Sequence, residues 1–382
     1  MKRTWPIFLS IFADMMGFGM IIADVQLRTE ALGAKGWLIG LILASTFVFQ
    51  VIFSPLWARI GDRTDRRTIF AICTLLSATG MLVYGMGNTL LVILISRIFS
   101  GLGAANVAMG QAIIASLTSE EERTREMGRL SAVMSSGLIL GPALGGVIAE
   151  HWGSIALGWI AGGLSMVGFV AILLLVPKCP GTGEGGGGRK WSWAPALLRD
   201  FPKLRPFLVT IFITWFALAL LEGTFARLIK ANLGYGQQEF GFIFGWESLL
   251  GFVVSGVLLD QIVRRMGDEK AITLAFIFEG IGLGLTPLAP NLGALFLCST
   301  FFALGTSVAN PAVNSLMSKL VPETRHGELF GFIQSIRGVG FIAGPIIGGA
   351  LFDLRHAAPY ALAGAACMLA GAMVPEAKRD EG

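Results

Sequence analysis

The sequence predicts an all-α integral membrane protein with twelve transmembrane helices in two pseudo-symmetric six-helix bundles. Three observations carry this. Of the 382 residues, 54% are hydrophobic and only 14% charged, a balance outside the soluble range. Apolar stretches of about 20 residues, the length a helix needs to cross the hydrocarbon core, recur from end to end, and strict alternation, which a membrane β-barrel requires, is absent. A ten-residue pattern also occurs twice. Gly137-x-x-x-Gly141-Pro142-x-x-Gly145-Gly146 returns 203 positions later as Gly340-x-x-x-Gly344-Pro345-x-x-Gly348-Gly349. The lead-in segments keep the same register, since Leu117 to Gly128 and Leu320 to Gly331 are both 12 residues long. Doubled halves in lipid are a mark of secondary transporters.

Taken in order, span 1 (5–27) carries Asp14 and Asp24, and span 2 (36–59) ends in a basic loop. Span 3 (69–87) holds Cys73, span 4 (89–117) carries Arg97, and span 5 (128–149) holds the first Gly-Pro pattern. Span 6 (153–176) has no charge. Span 7 (206–230) carries Glu222, span 8 (238–259) Glu247 and span 9 (271–288) Glu279. Span 10 (292–318) shows a polar stripe of Thr300, Ser307, Asn310 and Asn314. Span 11 (329–351) repeats the Gly-Pro pattern and carries Arg337, and the short span 12 (357–374) is uncharged.

The expected organisation is an N-terminal bundle over 1–177, a cytoplasmic linker over 178–205 and a C-terminal bundle over 206–382. The linker contains a glycine-rich stretch (181–188), read as flexible, then Arg189-Lys190-Trp191-Ser192-Trp193. The part running to Leu198 reads as a short amphipathic helix at the membrane surface.

With Met1 inside, the even-numbered connections and both termini hold 22 of the 29 Lys and Arg. The opposite face holds five: Arg28, Lys35, Arg227, Lys230 and Arg355. This asymmetry places both termini in the cytoplasm of a cell (inner or plasma) membrane protein. The net charge of +4 is therefore a topology signal, and nucleic acid is not an expected partner. The first apolar run is too long for a cleavable signal peptide. Cys73, Cys179, Cys298 and Cys367 lack metal-ligand spacing, and the three histidines (His151, His326, His356) form no triad or metal set, so no metal site and no enzyme activity are expected. The other loops leave no room for a soluble nucleotide-binding domain, and no phosphate-binding loop is present. No cofactor is expected, the proton gradient is the expected energy source, and the chain is expected to act as a monomer.

Between spans 2 and 3 stands Arg59-Ile60-Gly61-Asp62-Arg63-Thr64-Asp65-Arg66-Arg67. At the matching place in the second half, Gly256-Val257-Leu258-Leu259-Asp260 is followed by Arg264-Arg265-Met266-Gly267. This arrangement resembles the cytoplasmic loop signature of the major facilitator superfamily, with Ala58, Ile60 and Asp65 as departures and four extra residues after Asp260. The paired Gly-Pro patterns resemble the span-5 signature of its proton-coupled drug antiporters. Arg97-Ile98-Phe99-Ser100-Gly101-Leu102-Gly103 matches a third pattern of that family. The resemblance covers essentially the whole chain and implies the major facilitator fold.

In that family the loop acid meets a helix N-terminus in the opposite half, where the helix dipole stabilises negative charge. The resemblance thus implies a latch: Asp62, with Arg63, Arg66 and Arg67, near Gly331, and Asp260, with Arg264, near Gly128. It also implies that spans 1, 4, 7 and 10 surround a central cavity. Glycines that let helices approach and prolines that bend them suit a close interface between the halves in the antiporter-type motif, though helix packing alone also explains it.

Ionisable groups inside spans are costly, so each needs a reason. Asp14 lies near mid-membrane on one face with Gly17, Phe18 and Ile21; burial favours its protonated form, which makes it a candidate proton carrier, with a structural ion pair as the alternative. Asp24 drifts toward the outer rim. Arg97 shares a face with Gly101, Ala104, Ala108 and Gln111, while Asn106 points the opposite way. Arg97 would tune a nearby acid or hold an anion. Glu222 shares a face with Trp215, a pairing that suits an amphipathic cation unless Trp215 faces lipid. Glu247, beside Trp246, is a second proton candidate. Glu279 falls on an outer helix, where packing is expected. Arg337, with Gln334 one turn earlier, pairs with an acid or binds substrate. Gln111, Trp215, Asn310, Asn314, Gln334 and Arg337 are the substrate-cavity candidates.

The expected function is proton-coupled export of small amphipathic or hydrophobic compounds, of the multidrug-efflux type, by alternating access in the lipid bilayer. Transport of a specific metabolite, sugar or siderophore, lipid translocation and a transporter-like sensor are the alternatives.

Overall fold

A computed structural model of the chain describes residues 4–181, 195–322 and 325–374. Most of the glycine-rich stretch and the Arg189–Trp193 segment lie outside the described residues. The helices are α1 (Trp5–Ala31), α2 (Gly36–Arg63), α3 (Arg66–Gly85), α4 (Leu90–Gly103), α5 (Asn106–Leu117), α6 (Glu120–Leu175) and α7 (Pro195–Asp200). They continue as α8 (Arg205–Leu233), α9 (Gln237–Val253), α10 (Leu259–Met266), α11 (Asp268–Leu285), α12 (Leu292–Lys319), α13 (His326–Leu354) and α14 (Ala358–Ala372).

Among the described residues, ten rods are long and apolar enough to cross a membrane, with α4 and α5 counted together and α9 joined to α10 through a π-helical stretch, Val254–Leu258. One of them, α6, is two crossings in sequence. Gly153 at φ 77°, a left-handed conformation open to glycine, breaks it at the first residue of the span expected at 153–176, just after the one expected at 128–149. With α6 counted as two and the shorter α14 added, the described residues are consistent with twelve crossings, and the fold is all-α.

Local chemistry starts the helices where the apolar periodicity begins. Asp65, Thr89, Ser119 and Asn291 each accept a backbone N–H of the helix that follows, which satisfies donors left open in the first turn. Pro55, Pro142, Pro311 and Pro345 lie inside helices, tolerated in lipid where neighbouring groups take up the freed carbonyls.

The described chain packs as two compact units, Met1–Arg189 with Gly234–Gly245, and Lys190–Leu233 with Trp246–Gly382. The short segment 234–245 belongs with the first unit because glycine lets its backbone in. A Cβ on Gly146 would lie 2.3 Å from the Gln237 carbonyl oxygen, and one on Gly241 2.3 Å from that of Pro142.

Inside each unit the same contacts recur with a shift of 202 positions. A Cβ on Gly103 would meet the Cys73 carbonyl oxygen at 2.4 Å and the Ser77 nitrogen at 2.5 Å. One on Gly305 would meet Ala275 and Glu279 at 2.5 and 2.6 Å. A Cβ on Gly80 would lie 2.7 Å from the Ser96 carbonyl oxygen, and one on Gly282 2.7 Å from that of Cys298. Small residues at these crossings let helices touch backbone to backbone, the main source of helix association in lipid. The bundles are therefore pseudo-symmetric in packing as well as in sequence.

Candidate functional site

In the first unit α1 carries two buried carboxylates, and each has its own set of donors. Asp14 accepts from Asn106 Nδ2 at 2.6 Å and from Ser165 Oγ at 2.8 Å, and the Ser77 hydroxyl also reaches it. Hydroxyls and an amide from α3, α5 and α6 thus surround it, and among the described residues it has no cationic partner, so the ion-pair alternative does not hold. A buried carboxyl needs such donors, because an unsatisfied one is expensive in a low-dielectric interior.

Asn106, expected on the face opposite Arg97, donates to Asp14. The rod of span 4 breaks between Gly103 and Asn106, where Ala104 and Ala105 have φ/ψ of −67°/0° and −80°/−4°. These angles depart from α-helical periodicity, so a 100° count carried across them fails. Asn106 and Arg97 are both buried within the unit. Gln111, placed on Arg97's face by the same count, is exposed. The double glycine of Gly101-Leu102-Gly103 was the available signal for the break.

Asp24 requires a correction. Expected at the rim, it is 1% exposed and accepts from Tyr84 Oη at 2.5 Å, Ser154 Oγ at 2.7 Å and Gln237 Nε2 at 2.5 Å. Its depth along α1 is as counted, ten residues beyond Asp14, but Tyr84 and the 234–245 segment cover it. Two guanidiniums complete the cluster. Arg28 Nη1 donates to the Tyr84 carbonyl at 2.8 Å, and the guanidinium carbons of Arg28 and Arg97 lie 4.9 and 5.2 Å from the centre of the Tyr84 ring. Arg97 Nη2 is buried without a hydrogen-bond partner among the described residues. The acid whose field reaches Arg97 is Asp24. Tyr84 and Gln237 were not singled out in the sequence, because their role arises from long-range packing alone.

In the second unit the charged groups gather on α8, α9 and α13. Arg337 stacks on Trp215, its guanidinium carbon 3.7 Å from the ring centre, with Phe341 at 5.6 Å. Trp215 and Phe341 lie 5.4 Å apart, centroid to centroid, so Trp215 faces α13. Glu222 lies within electrostatic range of Arg337 and of Glu247, and the Ser299 hydroxyl reaches Glu247. Trp246 Nε1 donates to Thr300 Oγ1 at 2.9 Å. On α12, Asn310 Nδ2 reaches the Thr306 carbonyl at 3.5 Å, and Asn314 Oδ1, one turn on, is buried without a partner among the described residues. Gln334 is exposed. Glu279 is fully buried in the packing of α11, α12 and α14.

The loop arginines bind locally. Asp62 pairs with Arg66 at 2.8 Å, and Asp260 pairs with Arg264 at 2.8 Å with both side chains about four-fifths exposed. Arg63 is exposed, and Arg67 donates to the Leu173 carbonyl of α6. The motif glycines are packing surfaces within each unit. Cβ atoms on Gly137, Gly141 and Gly145 would strike Met15 Cβ and the carbonyl oxygens of Met16 and Met20 on α1. Those on Gly340, Gly344 and Gly348 would strike Trp215, Ala219 and Leu220 on α8. Pro142 and Pro345 lie against Gly19 and Gly223, and Gly349 is buried. Close helix packing therefore accounts for these six glycines.

The chain is similar to known proteins in sequence and in fold. Quinolone resistance protein NorA of Staphylococcus aureus (strain COL) is 24% identical over 366 residues, covering 95% of this chain and 93% of its own. Multidrug resistance protein 1 of Bacillus subtilis (strain 168) is 27% identical over 357 residues, covering 92% and 90%. The crystal structure of the nucleoside transporter NupG superposes with a TM-score of 0.80 at 13% identity, covering 98% of this chain and 99% of that one, which shows the fold. The family model of the Major Facilitator Superfamily matches residues 7–265 and 207–380. The chain is a member of the Major Facilitator Superfamily, a multi-pass membrane transporter.

Proposed function

We propose that this transporter is a proton-coupled antiporter that exports small amphipathic compounds, cationic ones foremost. The observation that carries this reading is the set Glu222, Glu247, Arg337 and Trp215. Two acids share the site with one base, so with both ionised it holds one uncompensated negative charge. In a low-dielectric interior that charge attracts either a proton or an organic cation. Proton binding weakens the hold on the cation, and a bound cation opposes protonation, a reciprocal coupling between the two ligands. The aromatic face that an organic cation would use is held by the Arg337 guanidinium at 3.7 Å. Arg337 thus acts as a tethered stand-in that substrate displaces.

Asp14 is the proton-carrier candidate of the first unit, and Arg97 sets the field around Asp24. Asn310, Asn314, Gln334 and Gln111 are polar contacts for substrate, and the Asp62–Arg66 and Asp260–Arg264 pairs are the latch. The two bundles, 1–177 and 206–382, rock about the 178–205 linker in a cell (inner or plasma) membrane, with both termini cytoplasmic and the chain monomeric. The names of the relatives in Staphylococcus aureus and Bacillus subtilis, which refer to quinolone and multidrug resistance, support export of drug-like compounds. In inverted vesicles with a preformed proton gradient, adding a lipophilic organic cation dissipates the gradient in wild type and not in Glu222→Gln. Silence across a broad panel of cations and neutral drugs would remove the antiporter reading.

A further inference from the structure

In the first unit a half-open groove of about 370 Å³ lies between α3 and the second half of α6. It opens at the end that the distribution of basic residues assigns to the cytoplasm. Arg67 and Lys178 stand at its mouth beside Asp65. The Asp65 carboxylate is already engaged by the Arg67 backbone N–H at 3.3 Å, the Thr68 hydroxyl at 3.0 Å and the Cys179 N–H at 2.8 Å. The Arg67 guanidinium donates to an uncharged acceptor, the Leu173 carbonyl. Among the described residues neither Arg67 nor Lys178 is held in an ion pair, and with the Asp65 carboxylate counted against the two bases the mouth keeps a net charge of +1.

The floor has different chemistry. Thr68, Ile72 and Leu75 fall on one face of α3 at helical spacing, and Phe169 of α6 faces them. Ile72 and Leu173 are 36% and 42% exposed, at a surface that hydrocarbon covers in a membrane. The groove is therefore positive at its mouth and apolar along its length.

We propose that this groove binds an anionic phospholipid, the headgroup phosphate between Arg67 and Lys178 and an acyl chain along Ile72, Leu75 and Phe169. Basic pockets between membrane helices on the cytoplasmic side select anionic headgroups, and the apolar floor has no use for a free phosphate. The position matters for the linker. Arg66 N donates to the Cys179 carbonyl at 2.9 Å, and Gly181 N donates to that of Thr64 at 2.5 Å. These bonds clip the start of the 178–205 segment to the α2–α3 loop, so a bound lipid braces the junction where the linker leaves the first bundle.

Native mass spectrometry of the purified full chain, titrated with phosphatidylglycerol or with phosphatidylcholine of identical acyl chains, tests this. Wild type retains phosphatidylglycerol at lower concentration. Lys178→Gln, which removes no recorded contact, loses about fivefold in that retention, the effect of one basic residue near an anionic surface. Ile72→Trp, which fills the groove without changing charge or deleting a hydrogen bond, also reduces it. Arg67→Gln adds a further loss, but because Arg67 also holds Leu173, the first two variants carry the decision. Equal retention of the two lipids by wild type, or unchanged phosphatidylglycerol retention in both Lys178→Gln and Ile72→Trp, overturns the proposal. So does competition by glycerophosphoglycerol, the headgroup without chains, that matches the intact lipid.

Discussion

The Tyr84 hydroxyl donates to the Asp24 carboxylate at 2.5 Å while the Tyr84 ring lies beneath two guanidiniums, those of Arg28 and Arg97. One aromatic residue thus serves the acid through its oxygen and the bases through its face. Tyr84→Phe keeps the ring and deletes the donor. Leaving a buried acceptor short of a partner costs about 1–3 kcal/mol, so the variant unfolds at lower temperature in detergent. Tyr84→Ala, which also removes the surface under Arg28 and Arg97, falls further. An unchanged melting curve for Tyr84→Phe would show that Asp24 does not depend on this bond.

The α1–α6 contact yields a sharper steric expectation. A Cβ on Gly145 would lie 2.3 Å from the Met20 carbonyl oxygen, a backbone atom that cannot swing away. Gly145→Val forces the helices apart and removes most folded protein from the membrane fraction. Gly128→Ala meets nothing within 4 Å and leaves yield and melting unchanged. Gel filtration of both variants reads the difference directly, and a well-folded Gly145→Val protein would contradict the packing described.

For the second unit, Trp215 separates stacking from bulk. Arg337 lies on its face, and cation–π attraction in a desolvated site is worth about 2 kcal/mol. Trp215→Ala therefore weakens binding of a fluorescent organic cation by roughly 30-fold, Trp215→Phe by much less, and binding of a neutral drug of the same size changes little. Equal losses for cation and neutral drug would assign Trp215 to shape alone.

The sequence was most informative where one segment suffices. Apolar length located the crossings, and the repeat of the Gly-Pro pattern announced the second bundle. Gly153 is the first residue of the expected span 6, even though α6 runs on through it. Asn106 shows the limit. Its direction depends on two residues of non-ideal helix, and an angular count from Arg97 carried across them could not bring it to Asp14. Asp24 shows another. Depth follows from residue number, but cover does not, because Tyr84 is 60 positions away and Gln237 is 213. The Arg337–Trp215 stack was half legible, since each residue stood out alone and only packing of α8 on α13 joins them.

Asp14 and Glu279 are best read against each other. The 202-position shift that carries Gly103 to Gly305 carries Ser77 to Glu279 and Ser165 to Cys367. In the first unit the acid comes from α1 and those two serines face it. In the second unit the acid itself stands at the Ser77 position, and the residue at the Ser165 position is a thiol, a weak donor, which approaches it. By strict geometry neither Glu279 oxygen has a hydrogen-bond partner among the described residues. A carboxyl so poorly served contributes little to stability, and replacing it with a neutral group of similar volume is often neutral or stabilising. Glu279→Gln therefore keeps or raises the melting temperature and retains gradient-driven transport in vesicles. Asp14→Asn stops gradient-driven transport while substrate exchange continues, because the fold keeps its donors but the unit loses its proton carrier. If Glu279→Gln uncouples transport and Asp14→Asn does not, Glu279 and not Asp14 carries the proton.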